Sequence, residues 1–230
     1  MSLYAGYTIV FDLDGTLVDT APDLTAALNH VLVNEGCPAL PQVEVRNLVG
    51  HGAKALIERG MARQGARPTE HDLARMLKLF LNYYGENIAN NSILFPGVTR
   101  TLEYFRARQA LLAVCTNKPT RLSRDLFRAL DMERHFEAVL GSDSLPVRKP
   151  DPLHLIETIR QAGGDPARSV MVGDSATDVD TAKAANIPVV AVSFGYTLIP
   201  ARELGADIVI DTFEALIDVL PLLLRLDRAG

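Results

Sequence analysis

Tyr7-Thr8-Ile9-Val10-Phe11-Asp12-Leu13-Asp14-Gly15-Thr16 is the stretch whose reading decides the fold. Tyr7 to Phe11 form a short run of apolar and β-branched residues, suited to a strand buried on both faces. The run stops on Asp12, and Asp14 follows two residues later in a turn that Gly15 loosens. A carboxylate at a strand end can attack phosphorus, while a second carboxylic acid beside it protonates the leaving oxygen and later activates water.

Three other segments share this design of an apolar run followed by polar chemistry. Leu112 to Cys115 lead into Thr116-Asn117, a hydroxyl and an amide able to hold the non-reacting oxygens of a phosphoryl group. Val170-Met171-Val172 lead into Gly173-Asp174-Ser175. Lys149-Pro150-Asp151-Pro152 makes an extended segment ahead of a helix, because each proline restricts the residue before it. A lysine held there can neutralise charge shared by nucleophile and phosphate. Asp12, Asp174 and the main-chain carbonyl of Asp14 would give a hard oxygen site suited to Mg²⁺. Asp178, with Ser175 close by, either supports that site or adds a ligand. Asp180 is expected on an exposed helix face, Asp19 in a local turn and Arg148 in solvent. Each segment alone also fits an ordinary strand-closing turn or a solvated lysine. Four of them in this order point to phosphoryl transfer.

Further short runs at Phe136 to Leu140 and Pro188 to Ser193 read as strands, and Arg121 to Leu130, Leu153 to Ala162 and Ala176 to Ala185 read as helices between them. This alternation predicts an α/β fold with a doubly wound parallel sheet, whose sites lie beyond the carboxyl ends of the strands. Between about residues 19 and 95 the strand pattern stops. Leu73, Met76, Leu77, Phe80, Leu81, Tyr84 and Ile88 recur at helical spacing, and Thr20-Ala21-Pro22-Asp23 has the form of a capping box opening another helix. The expected organisation is a core of residues 1–18 and 96–230 with a small all-helical cap, residues 19–95, inserted after the first strand. Phe95-Pro96-Gly97 punctuates the return, and the cap is placed to open and close over the site.

The four motifs, their order and the insert position resemble the haloacid dehalogenase (HAD) superfamily, which has a Rossmann-like core, and the likeness covers nearly the whole chain. Within it, the run from Phe11 to Leu24, the segment Val49-Gly50-His51-Gly52, and Asp143-Ser144-Leu145-Pro146 ahead of Arg148-Lys149-Pro150 resemble bacterial phosphoglycolate phosphatases. The resemblance implies Asp12 as nucleophile, Asp14 as general acid and base, Thr116 and Asn117 as phosphate binders, Lys149 as charge stabiliser and Asp174 as metal ligand. It also implies that the loop of Gly50, His51 and Gly52 faces the substrate, with His51 as a candidate contact.

The expected activity is therefore a Mg²⁺-dependent phosphomonoesterase acting through an aspartyl phosphate on a small phosphorylated metabolite, first of all 2-phosphoglycolate. Sugar phosphates, nucleotides, pyrophosphate and amino-sugar acid phosphates stand as alternative substrates. A sugar-phosphate mutase shares the first step, and a noncatalytic phosphoacceptor or binding domain is the reading from another class. Composition bounds the rest. The 230 residues, 48% hydrophobic and 22% charged, are those of an ordinary globular chain, and the net charge of -5 offers no basic field for nucleic acid or an anionic membrane. No apolar run approaches the ~20 residues that span a bilayer, so a soluble cytoplasmic protein, monomer or homodimer, is expected. Cys37 and Cys115 lack metal-ligand spacing and read as buried thiols.

Overall fold

A computed structural model describes residues 3–224. The chain runs through β1 (Thr8–Phe11), β2 (Val18–Asp19), α1 (Ala21–Asn34), α2 (Gln42–Arg46), α3 (Ala53–Arg63), α4 (Glu70–Glu86), β3 (Ile93–Leu94), α5 (Val98–Arg106) and β4 (Leu111–Cys115). It continues through α6 (Thr120–Ala129), β5 (Ala138–Leu140), α7 (Pro152–Gln161), β6 (Ser169–Gly173), α8 (Ala176–Ala184), β7 (Val189–Val192), β8 (Ile208–Ile210) and α9 (Leu216–Leu223).

Six strands form one parallel sheet in the order β5-β4-β1-β6-β7-β8. The period of two along β1 divides its side chains between two cores. Ile9 and Phe11 join Leu112, Val114, Val170 and Val172 in one hydrophobic cluster that also holds residues of α5, α6 and α9. Val10 joins Ala113 and Met171 in the other, against Leu155 and Ile159 of α7 and Val179 of α8. Both faces of the sheet are covered, which is why its strands read as continuous apolar runs. Phe11 is in register with Val114 on one side and Val172 on the other, so the residues following β1, β4 and β6 leave the sheet side by side. Connections run to opposite sides of the sheet from this point, a switch where a crevice forms.

The expected strands and helices are present, with ends shifted by one or two residues. The sequence reading missed β8, a three-residue edge strand with two half-buried residues, and the two-residue antiparallel ribbon of β2 and β3. Between the two ribbon strands lie α1 to α4, which pack on one another around their own apolar cluster. Leu73, Met76, Phe80 and Tyr84 form the buried face of α4, while Ile88 lies beyond its end. Thr69 caps α4, its hydroxyl accepting from the Asp72 amide.

The start of α1 corrects the capping-box expectation. Thr20 precedes the helix but makes no side-chain cap bond, its hydroxyl donating instead to Asp14 at 2.7 Å. Asp23, 2% exposed, accepts from the amides of Asn91 and Ser92, the Asn91 side chain and the Ser92 hydroxyl. Tertiary partners thus replace the local cap, and Asp23 ties the beginning of the helical segment to its end. Cys115 is buried and its thiol is pushed up to about 12 by burial, whereas Cys37 is only half-buried. Among the described residues no helix is long and apolar enough to cross a membrane.

Candidate active site

Asp12 leaves β1 with its amide still bonded to the Val172 carbonyl, so it is fixed to the end of β6 as well as β1. The turn after it is tight. Leu13 accepts from the amides of Thr16, Leu17 and Val18, and Gly15 takes a φ of 89°. A Cβ at Gly15 would lie 2.4 Å from Oδ2 of Asp174, so the glycine is required for space as well as for backbone conformation.

Four buried charges meet here. Lys149 Nζ lies 2.8 Å from Asp12 Oδ1 and 2.6 Å from Asp178 Oδ1. Burial opposes the Lys149 charge, but Asp12 and Asp178 outweigh it and hold its pKa above the usual lysine value. Asp178 caps α8, its Oδ2 accepting from the amides of Asp174 and Ser175 and from the Ser175 hydroxyl. Asp174 accepts from Thr16 Oγ1 at 3.1 Å and from the Tyr196 amide at 2.6 Å. Burial lifts the Asp12 carboxyl from its ordinary 3.8 to about 6, Lys149 offsetting only part of this. Burial, with Asp178 and Asp12 nearby, raises Asp174 well above the usual carboxylate range.

Carboxylate oxygens from Asp12, Asp174 and Asp178 lie within 4.8 Å of one another. Of these three buried carboxylates two pair with the Lys149 ammonium and Asp174 has no cation beside it among the described residues, an arrangement that a hard divalent cation would balance. Both oxygens of Asp178 are already engaged, one by Lys149 and the other by the α8 cap. That leaves Asp12 and Asp174 as the better donors and gives Asp178 the work of orienting Lys149 and the loop.

Asp14 points toward the helical segment. Its carboxylate accepts from Thr20 Oγ1 and, at 2.9 Å, from Nζ of Lys118, which also donates to the Tyr84 hydroxyl at 2.7 Å. A cavity of about 40 Å³ lies between Asp12, Asp14, Thr116 and Lys118 on the sheet side and Val49, Leu56, Phe80 and Tyr84 on the helical side. Gly50 and Gly52 line it too. Gly52 has a φ of 86°, and a Cβ there would stand 3.3 Å from the Asn117 carbonyl oxygen, so the helical segment closely approaches the Thr116-Asn117 motif.

Comparison with known proteins follows this geometry. The family profile described as haloacid dehalogenase-like hydrolase matches residues 9–192. The chain belongs to the haloacid dehalogenase-like hydrolases. A phosphoglycolate phosphatase from Mesorhizobium japonicum is 52% identical over 224 residues, spanning 96% of this chain and 97% of that protein. One from Caulobacter vibrioides is 48% identical over 208 residues, spanning 90% and 88%. The crystal structure of a predicted phosphoglycolate phosphatase from Haemophilus somnus superposes with a TM-score of 0.88 at 33% identity, covering 96% of this chain and 99% of that one.

The HAD-like core brings Asp12, Asp14, Thr116, Asn117, Lys149 and Asp174 to one end of the sheet, with Ser175 and Asp178 behind them. Thr116 is buried and accepts from the Lys118 amide, while the Asn117 side chain donates to the Lys149 carbonyl at 3.1 Å and so braces two motifs together. His51 is exposed and lines a separate cavity of about 240 Å³ with Arg59, Ser175 and Tyr196. Burial, with Arg59 beside it, holds the His51 pKa below the usual histidine value. Asp180 and Arg148 are exposed as expected. Asp19 does more than serve a turn: it accepts from the Tyr196 hydroxyl at 2.5 Å and pairs with Arg46 of α2. Lys118 and Tyr84 were missed. The lysine beside Thr116-Asn117 was a visible signal, but Tyr84 reads in sequence only as one residue of an apolar stripe.

Proposed function

We propose that this HAD-like hydrolase is a Mg²⁺-dependent phosphomonoesterase whose substrate is 2-phosphoglycolate, cleaved to glycolate and phosphate. The observation that carries this is the pairing of Asp12 with Lys149 at 2.8 Å, beside a separately held Asp14, at the cavity between the sheet end and the helices. In this reading Asp12 attacks phosphorus in line with the ester oxygen, the phosphorus–oxygen ester bond breaks, and Asp14 gives the departing oxygen its proton. Water then attacks the phosphorus of the aspartyl phosphate, Asp14 takes a proton from it, and phosphate leaves with Asp12 restored. Thr116 and the loop after it hold the phosphoryl oxygens, and Lys149 offsets their charge throughout. Asp12, Asp174 and the Asp14 carbonyl would hold Mg²⁺, which when bound neutralises charge on nucleophile and phosphate.

The substrate choice rests on relatives. The relatives at 52% and 48% identity, matched over 96% and 90% of the chain, are named phosphoglycolate phosphatase. In this reading α1 to α4 act as a cap that shuts over the bound ester and keeps bulk water out.

Phosphate release should be measured over 2-phosphoglycolate, pyrophosphate, a hexose phosphate and a nucleoside monophosphate, with Mg²⁺ and with excess EDTA. The expected result is the highest kcat/KM for 2-phosphoglycolate and no turnover in EDTA. A higher kcat/KM for another ester would replace the substrate, and undiminished turnover in EDTA would remove the metal.

A further inference from the structure

We infer that Lys118 and Tyr84 together form the subsite that recognises a carboxylate on the leaving group, one member supplied by the core and the other by the helical cap. The inference rests on the substrate reading above and adds the residues that read it. Among the described residues lining the cavity, Lys118 is the one cation, and it is 5% exposed. Its amide is bonded to Thr116 Oγ1 at 3.2 Å, so the residue that would grip the leaving group is tied to the loop that would grip the phosphate.

The donors of this pair are not exhausted. An ammonium has three N–H groups. Lys118 Nζ reaches the Tyr84 hydroxyl at 2.7 Å and both Asp14 oxygens at 2.9 and 3.2 Å, so an incoming carboxylate would take over the N–H spent on the longer Asp14 contact. The Tyr84 oxygen accepts from Lys118, and its own proton has no acceptor among the described residues. Tyr84 is 1% exposed, and burial above all raises its pKa well beyond the usual phenol value, so it remains a donor. An N–H held only by the longer Asp14 contact and an unused O–H, 2.7 Å apart at the heavy atoms, therefore meet at a cavity whose remaining cap-side lining is largely apolar. A planar carboxylate can accept from both. A neutral leaving group would leave a buried ammonium and hydroxyl without their added partner, which is how a polar site rejects a ligand lacking the right group.

The arrangement also relates recognition to closure. Tyr84 lies in α4 and Lys118 follows β4, so the two-donor site exists only while cap and core are together. A carboxylate spanning both donors would favour the closed form. The same lysine holds Asp14 at 2.9 Å, so the residue that tests the leaving group also positions the acid that protonates it.

The test compares 2-phosphoglycolate with 2-hydroxyethyl phosphate, similar in length but with a neutral hydroxymethyl group in place of the carboxylate. Wild type, Tyr84→Phe and Lys118→Met are assayed on both. Wild type should prefer 2-phosphoglycolate. Tyr84→Phe should cut that preference about 10-fold, mainly through KM, and Lys118→Met should cut it by about 10- to 100-fold. A purely structural or Asp14-positioning role would lower both substrates alike. A preference that survives undiminished in either folded variant overturns the inference while leaving the substrate reading intact. A wild type that does not prefer the carboxylate ester overturns the substrate reading itself.

Discussion

At the scale of single residues, the site stores unfavourable charge that its ligands would relieve. The folded-state pKa of Asp12 is raised, from 3.8 to about 6, so the folded protein binds this proton more tightly than the unfolded chain does. Asp12 therefore takes stability away as pH rises from about 4 to about 6, and the loss stays complete above that, at most about 3 kcal/mol. Asp12→Asn removes the charge. Its metal-free form should melt higher than metal-free wild type near pH 8, with the advantage fading toward pH 4 in thermal scans. Mg²⁺ should then stabilise wild type more than the variant. A variant that melts lower at every pH would show that the Lys149 pairing outweighs burial. That Asp12 and Asp174 lie together was legible in the sequence because each follows an apolar run that reads as a strand of one parallel sheet. Asn117 was legible only by position, since its bond to the Lys149 carbonyl joins residues 32 apart in sequence, a separation that local pattern does not reveal.

At the scale of elements, the sequence was read best where burial leaves an unbroken pattern, either one apolar face of a helix or a strand covered on both faces. The α4 stripe and the strands of the sheet are of this kind, and both were legible. The start of α1 was not. Thr20 and Asp23 have the spacing of a capping box, yet Asp14 and the Asn91-Ser92 turn compete for their side chains and win. The reason is energetic: a single cap bond contributes about 1 kcal/mol, whereas leaving several buried donors unpaired costs more. Asp23→Ala strands the donors of Asn91 and Ser92 and should lower stability by about 2 to 4 kcal/mol, read as a fall in the midpoint of urea unfolding. A loss below about 1 kcal/mol would show that water replaces Asp23 and that the bracing of the two cap ends has little weight. β8 and the β2/β3 ribbon escaped the sequence because two or three residues do not establish a period.

At the scale of the whole molecule, the sheet end and the helical segment share one site through several links. Arg46 of α2 pairs with Asp19, stacks over the Tyr196 ring at 4.8 Å and donates to the Phe194 carbonyl. The Tyr196 amide in turn holds Asp174. Cap position and the carboxylate that would hold the metal are thus joined through one tyrosine. Such long-range links, like the meeting of Lys118 with Tyr84, depend on how α1 to α4 pack against the sheet end, and no local pattern encodes them. In the proposed mechanism all of them serve a single chemical event at Asp12, which can be observed directly. Wild type and Asp12→Asn are mixed with Mg²⁺ and 2-phosphoglycolate, quenched in acid within one turnover, digested and weighed by mass spectrometry. The account predicts that the wild-type peptide containing Asp12 gains one phosphoryl group, that the variant peptide gains none, and that the variant releases no phosphate. Phosphate release by Asp12→Asn at a rate near wild type, or a phosphoryl group found on a different residue, would contradict it.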